Sequence, residues 1–180
     1  MLYHEIIIAG FGGQGILFAG KVLAHAAMCE NKFVTYMPSY GAEVRGGTAF
    51  CHTVISDSEI ASPVITEPTS AIILNTPSKE KFEVKVRKGG VIVLNISLIG
   101  QSHRRDDVSY LDVDATVIAE RLGNVRAANM VMIGAYAGST KIVTLDGLLA
   151  SFKEVFGSYK QELVILNEKA IREGWVIGHG

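Results

Sequence analysis

The chain has 180 residues, 48% of them hydrophobic and 19% charged, with 17 basic against 18 acidic side chains. That length predicts one compact domain, taken as residues 1–180, and the apolar content excludes a disordered chain. The near-cancelling charges supply no broad field for nucleic acid or an anionic membrane, so neither is expected as a partner.

Two cysteines, Cys29 and Cys51, stand outside any CxxC pair. One disulfide is conceivable, but a reduced pair of small buried side chains in a cytoplasmic protein is the better reading, because a core of this size needs no staple. An iron–sulfur cluster usually takes four thiolates, so the chain is not expected to hold one alone. The start at Met1 runs into apolar residues without the basic region of a secretory leader. No stretch reaches the roughly 18 uncharged apolar residues of a membrane span.

In chain order, the continuous β-branched run at 5–9 that stops at Gly10 predicts a strand buried on both faces, central and mostly parallel. Residues 14–30 carry apolar and small residues at helical spacing, and 33–37 form a short strand ending at Pro38. Residues 38–47 read as a loop, then 48–56, 70–74 and 91–95 as strands, with a helix over 78–86 after Pro77. A charged loop at 103–107 precedes a short strand at 110–113. Three helical patterns follow, around Ala128, Leu145 and Leu163. Thr144 is placed as an N-cap with Asp146 in the first turn, and Gly174 as the glycine that ends the last helix. The fold class is therefore α/β: a single Rossmann-like layered domain with a mainly parallel central sheet and a helical C-terminal third.

Glycine, 19 residues, exceeds the average of roughly 7%. Gly10-Phe11-Gly12-Gly13-Gln14-Gly15 fits G-x-G-x-x-G between a buried strand and a helix, a nest of N–H groups suited to phosphate. A dinucleotide site also needs an acid about 20 residues on to hold the ribose. The second strand ends Tyr36-Met37-Pro38-Ser39 without one, and Glu30 falls on the wrong side of that strand. Gly15, Gly20 and Lys21 mimic a P-loop, but Val22 replaces the required hydroxyl. Met37 spoils a nucleophile elbow at Ser39. The loop from Ser39 to Gly47 supplies a phenol, a carboxylate and a guanidinium beside flexible glycines, and Arg45 suits a phosphate or carboxylate clamp. His4, His25, His52, His103 and His179 show no mutual metal-ligand spacing, so no metal site is expected.

Gly10-Phe11-Gly12-Gly13-Gln14-Gly15, the segment PSYGAEVRGGTA from Pro38 to Ala49, and GNVRAANM from Gly123 to Met130 resemble the gamma subunit of 2-oxoacid:ferredoxin oxidoreductases over nearly the whole chain. The PSYG form, Ser56-Asp57 and the GNVRAAN stretch are most similar to the 2-oxoglutarate type. The resemblance implies a non-autonomous subunit of a complex that decarboxylates a 2-oxoacid to an acyl-CoA and reduces ferredoxin. It implies alpha and beta partner chains, with delta a further candidate, and places thiamine diphosphate, Mg and iron–sulfur clusters in those partners. It associates this domain with coenzyme A, with Gly12, Gly13, Gln14, Ser39, Tyr40, Glu43, Arg45 and Gly46 as candidate contacts and no proton-transfer residue. The isolated chain is expected to expose an apolar face that buries against partner subunits, with a homodimer as a candidate use of that face when the chain is alone. The competing reading is a stand-alone nucleotide- or dinucleotide-binding reductase or binding module.

Overall fold

The computed structural model describes residues 2–39, 48–100, 102–157 and 160–180. Six strands, β1 (Tyr3–Phe11), β2 (Phe33–Ser39), β3 (Thr48–Ser56), β4 (Ser70–Ile73), β5 (Val91–Asn95) and β6 (Ser109–Val113), form one sheet in the order β2-β3-β1-β4-β5-β6. β1, β4, β5 and β6 pair in parallel, whereas β3 is antiparallel to both β1 and β2. Only β3 therefore runs against the rest. Eight residues separate β2 from β3, too few for a crossover of a dozen or more, so the second strand of that pair has to return antiparallel.

β1 is central as expected, but one of its two neighbours is antiparallel. Its alternate residues enter different cores: Ile6 and Ile8 join the large cluster, Ile7 and Ala9 a smaller one on the other face. This double burial explains the unbroken apolar run. The large core holds helices α1 (Ile16–Cys29), α4 (Ala128–Thr140), α5 (Leu145–Phe156) and α6 (Gln161–His179), while α2 (Thr76–Phe82) covers the opposite face. α4 is buried almost all round, as a helix between sheet and outer layer must be.

Four expectations need correction. Pro38 lies inside β2, opposite Cys51, and not beyond its end. An edge strand tolerates a residue that lacks a donor. The helix after β4 starts earlier, because Asn75 accepts a hydrogen bond from Ser78 N at 2.8 Å and Pro77 fits the first turn; it ends at Phe82 in a 3₁₀ turn, Glu83–Lys85. A helix absent from the sequence reading, α3 (Ala115–Arg121), carries Ala115, Ile118 and Ala119 into the core.

Gly174 does not end α6, which continues to His179. A Cβ there would meet Val131 O at 2.0 Å, and at Gly178 it would meet Ala135 O at 2.0 Å. Gly134 and Gly138 of α4 face Ile171 O and Trp175 O in the same way. These glycines let two helices touch backbone to backbone. Thr144 does cap α5, accepting from Gly147 N at 3.0 Å.

Candidate functional site

β1, β4 and β5 end at one edge of the sheet, where α/β folds place ligands. After β1, Gln14 N donates to Phe11 O at 3.2 Å, and Gln14 Oε1 accepts from Phe11 N at 2.6 Å. The Gln14 side chain thus shapes the turn itself. Gly13 (φ 93°) and Gly15 (φ 71°) are left-handed, and Gly15 is the N-cap of α1 without any side-chain cap. Gly12 and Gly13 have nothing within 4 Å of a would-be Cβ, and no acceptor among the described residues takes their N–H groups. The first turn of α1 carries no acid. Open N–H groups therefore stand at the positive end of a 14-residue helix.

Ser39 ends β2 opposite Phe50, and Thr48 starts β3 opposite Phe11. Ser39 and Thr48, the residues that flank positions 40–47, thus lie at the same end of the sheet as the glycine turn. Tyr40, Glu43, Arg45 and Gly46 themselves lie outside the described residues. Of the sequence candidates, the structure brings Gly12, Gly13, Gln14 and Ser39 to one sheet edge.

Two further residues at this edge were missed as site residues. Asn129, 5% exposed, donates from Nδ2 to Gly15 O at 3.0 Å and occupies the space a Gly15 side chain would need. Arg126 is exposed and lines both a cleft of about 190 Å³ with Gly13, Gln14 and Thr116 and a neighbouring cleft of about 270 Å³ with Asn124 and Asn129. Among the described residues its guanidinium has no partner. Asn124 Oδ1 accepts from Arg126 N at 3.0 Å and so fixes the 3₁₀ turn Val125–Ala127 that carries the arginine. The GNVRAAN stretch contained this signal; its distance along the chain from the glycine turn concealed the convergence.

The titratable groups separate structural from ligand-facing positions. Burial pushes the Cys51 thiol up to about 12, so it is a packed side chain and not a nucleophile. Burial raises the Glu30 carboxyl, but hydrogen bonds from Lys32 and Thr144 outweigh it and hold the group below its ordinary value. Glu30 Oε1 accepts from Thr144 N at 2.8 Å and Thr144 Oγ1 at 2.7 Å, pinning the start of α5 to the C-terminal end of α1. That is the helix end opposite the glycine turn, so Glu30 is not a ribose acid. Cys29 is free and exposed, correcting the expectation of a buried pair; Cys51 is free and buried.

The sequence pattern described as pyruvate ferredoxin/flavodoxin oxidoreductase matches residues 5–176, and the chain belongs to that family. Within it the chain is of the gamma type. It is 33% identical to the 2-oxoglutarate synthase subunit KorC of Methanothermobacter thermautotrophicus, over 94% of this chain and 93% of that one. It is 35% identical to the ketoisovalerate oxidoreductase subunit VorA of Methanothermobacter marburgensis over 94% of its own length but 35% of the relative, so it spans about a third of that protein. The crystal structure of a keto/oxoacid ferredoxin oxidoreductase gamma subunit from Geobacter sulfurreducens superposes with a TM-score of 0.86 at 25% identity, covering 99% of this chain and 97% of that one. The 2-oxoglutarate:ferredoxin oxidoreductase of Magnetococcus marinus, with 2-oxoglutarate, coenzyme A and succinyl-CoA bound, shares the fold with a TM-score of 0.91 at 20% identity; the match covers 99% of this chain and 31% of that one.

Proposed function

We propose that the chain is the gamma subunit of a cytoplasmic, multi-subunit 2-oxoacid:ferredoxin oxidoreductase, and that its sheet edge holds the phosphate-bearing part of coenzyme A. The observation that carries this reading is that Gly13, whose N–H group is open, and Arg126, whose guanidinium has no partner among the described residues, line one cleft. A helix N-terminus and an arginine are complementary to a ligand with several phosphates. Arg45 and its neighbours Tyr40, Glu43 and Gly46, in the sequence between Ser39 and Thr48, are proposed as further contacts. Relatives named for 2-oxoglutarate and for ketoisovalerate match almost equally well, so the oxoacid is proposed as 2-oxoglutarate on the sequence motifs alone.

The chain's own role is to bind and orient. Thiamine diphosphate with its Mg and the iron–sulfur clusters are assigned to alpha and beta partner chains, with ferredoxin as acceptor. Two cysteines, one buried and one exposed, do not make the four-thiolate set of a cluster. Among the described residues no helix is long and apolar enough to cross a membrane. Ile165 and Val176 of α6 are exposed and are proposed to contact those partner chains or a second copy of this one.

The test uses the assembled enzyme. Arg126→Ala should weaken coenzyme A by about 10- to 150-fold, as expected for a lost charge-assisted hydrogen bond of about 1.5–3 kcal/mol. Cluster reduction by the 2-oxoacid before coenzyme A is added should keep its rate in stopped-flow spectra. Equal slowing of both phases in an intact complex would place Arg126 in subunit geometry and remove the coenzyme A assignment.

A further inference from the structure

The C-terminal half of α1 carries a second cluster, far along that helix from the glycine turn. His25 and Cys29 are four residues apart, so their side chains share one face, and Glu154 of α5 reaches them from the neighbouring helix. His25 Nε2 lies 3.5 Å from Glu154 Oε2, and Cys29 Sγ lies 3.6 Å from the other ring nitrogen, Nδ1. One donor atom from each of the three residues lies within 4.8 Å of the others. Histidine spacing alone does not reveal this set, because the other donors are a thiol and, on a separate helix, a carboxylate.

We propose that His25, Cys29 and Glu154 bind a divalent transition-metal ion of the Zn²⁺ type, clamping α1 to α5. Imidazole, thiolate and carboxylate are the three side-chain ligand types of Zn²⁺, and three protein ligands leave a fourth position for water. Zn–ligand bonds of about 2.0–2.3 Å set tetrahedral ligand–ligand edges near 3.5 Å. Closing the cluster therefore needs movements of about 1 Å, which the exposed Cys29 and Glu154 side chains can make by rotation.

The surroundings favour this occupant. Ser151, 1% exposed, places Oγ 3.0 Å from His25 Nδ1. A proton on Nδ1 donated to that hydroxyl leaves the Nε2 lone pair toward Glu154, the arrangement in which ligating histidines are usually held. The last turn of α1 has no basic residue to meet its negative end. Lys153, next to Glu154, is turned to Glu168 at 2.8 Å and does not compete for the carboxylate. Binding replaces the Cys29 S–H proton by the metal and releases that proton to solvent. The Glu30–Thr144 contact joins the same two helices at the start of α5.

Co²⁺ titrated anaerobically into the tag-free, metal-free full chain is the direct probe. One equivalent should produce thiolate-to-metal charge-transfer absorption in the near ultraviolet, and Zn²⁺ should displace it. Cys29→Ser should abolish that absorption, while His25→Gln and Glu154→Gln should each weaken Co²⁺ by at least about tenfold. In the unsubstituted chain, one equivalent of Zn²⁺ should protect Cys29 from alkylation, read by peptide mass, so the conclusion does not depend on any variant folding. No charge-transfer absorption, absorption that survives Cys29→Ser, unchanged affinity in both other variants, or unprotected Cys29 would each overturn the site. None of these outcomes bears on coenzyme A at the opposite end of α1.

Discussion

Replacing Gly15 with alanine tests how the glycine turn is held. Gly15 sits at φ 71°, and its added methyl would meet Asn129 Nδ2 at 2.4 Å. Left-handed backbone costs a non-glycine residue about 1–2 kcal/mol. Expelling the Asn129 carboxamide removes its hydrogen bond to Gly15 O, worth about 0.5–1.5 kcal/mol. Alanine restricts the unfolded chain and returns about 0.4–1 kcal/mol. The net loss should be near 2 kcal/mol, or roughly 4–8 °C in Tm for a domain of this size. Asn129→Ala removes the same hydrogen bond and should lose about 1–2 kcal/mol. Because both changes delete one interaction, the double variant should be less destabilised than the sum by about 1 kcal/mol. Gly12→Ala is the control: with open space at its Cβ and no positive φ, it should stay within about 0.5 kcal/mol. Urea unfolding followed by the single tryptophan, Trp175, measures all four. Additivity within about 0.3 kcal/mol, or a neutral Gly15→Ala, would refute the proposed lock between Asn129 and the turn.

Three further outcomes follow from other parts of the fold. Gly174→Ala should destabilise by about 2 kcal/mol or more in the same urea assay, since its methyl would meet Val131 O at 2.0 Å; unchanged stability would contradict this close approach of α6 to α4. Thr144→Ala should lose about 1–2 kcal/mol, because the hydroxyl both caps α5 and binds Glu30. Burial, then Arg87, lowers the pKa of His4, and burial, then Lys85, lowers that of His52. Below the ordinary value of 6.5 the unfolded chain takes up protons that the folded chain refuses. Stability should therefore fall as pH drops from 7 toward 5, and a His4→Gln, His52→Gln double variant should flatten that slope in Tm-versus-pH curves.

Much of this architecture was legible in the sequence wherever one local force dominated. The unbroken Ile6-Ile7-Ile8 run marked a strand buried on both faces, and Thr144 with Asp146 marked the start of α5. The errors came where tertiary context overrode a local signal. Pro38 ends a strand in isolation, but at the sheet edge no partner needs its missing N–H. Gly174 has the composition of a helix end, yet its use is to admit the backbone of α4, a contact 43 residues away along the chain. At the site, the glycine turn was readable because its glycines serve local geometry. Arg126 and Asn129 were not singled out, because their role depends on α4 folding back over Gly15.

The most direct test of the central claim is 2-oxoacid-dependent viologen reduction by the purified chain, alone and after coexpression with alpha- and beta-type chains. The chain alone should be colourless and inactive. The coexpressed chains should copurify as one complex that reduces viologen in the presence of a 2-oxoacid and coenzyme A. Reduction by the isolated chain, or a fully active alpha–beta complex that excludes it, would contradict its assignment as a non-autonomous gamma subunit.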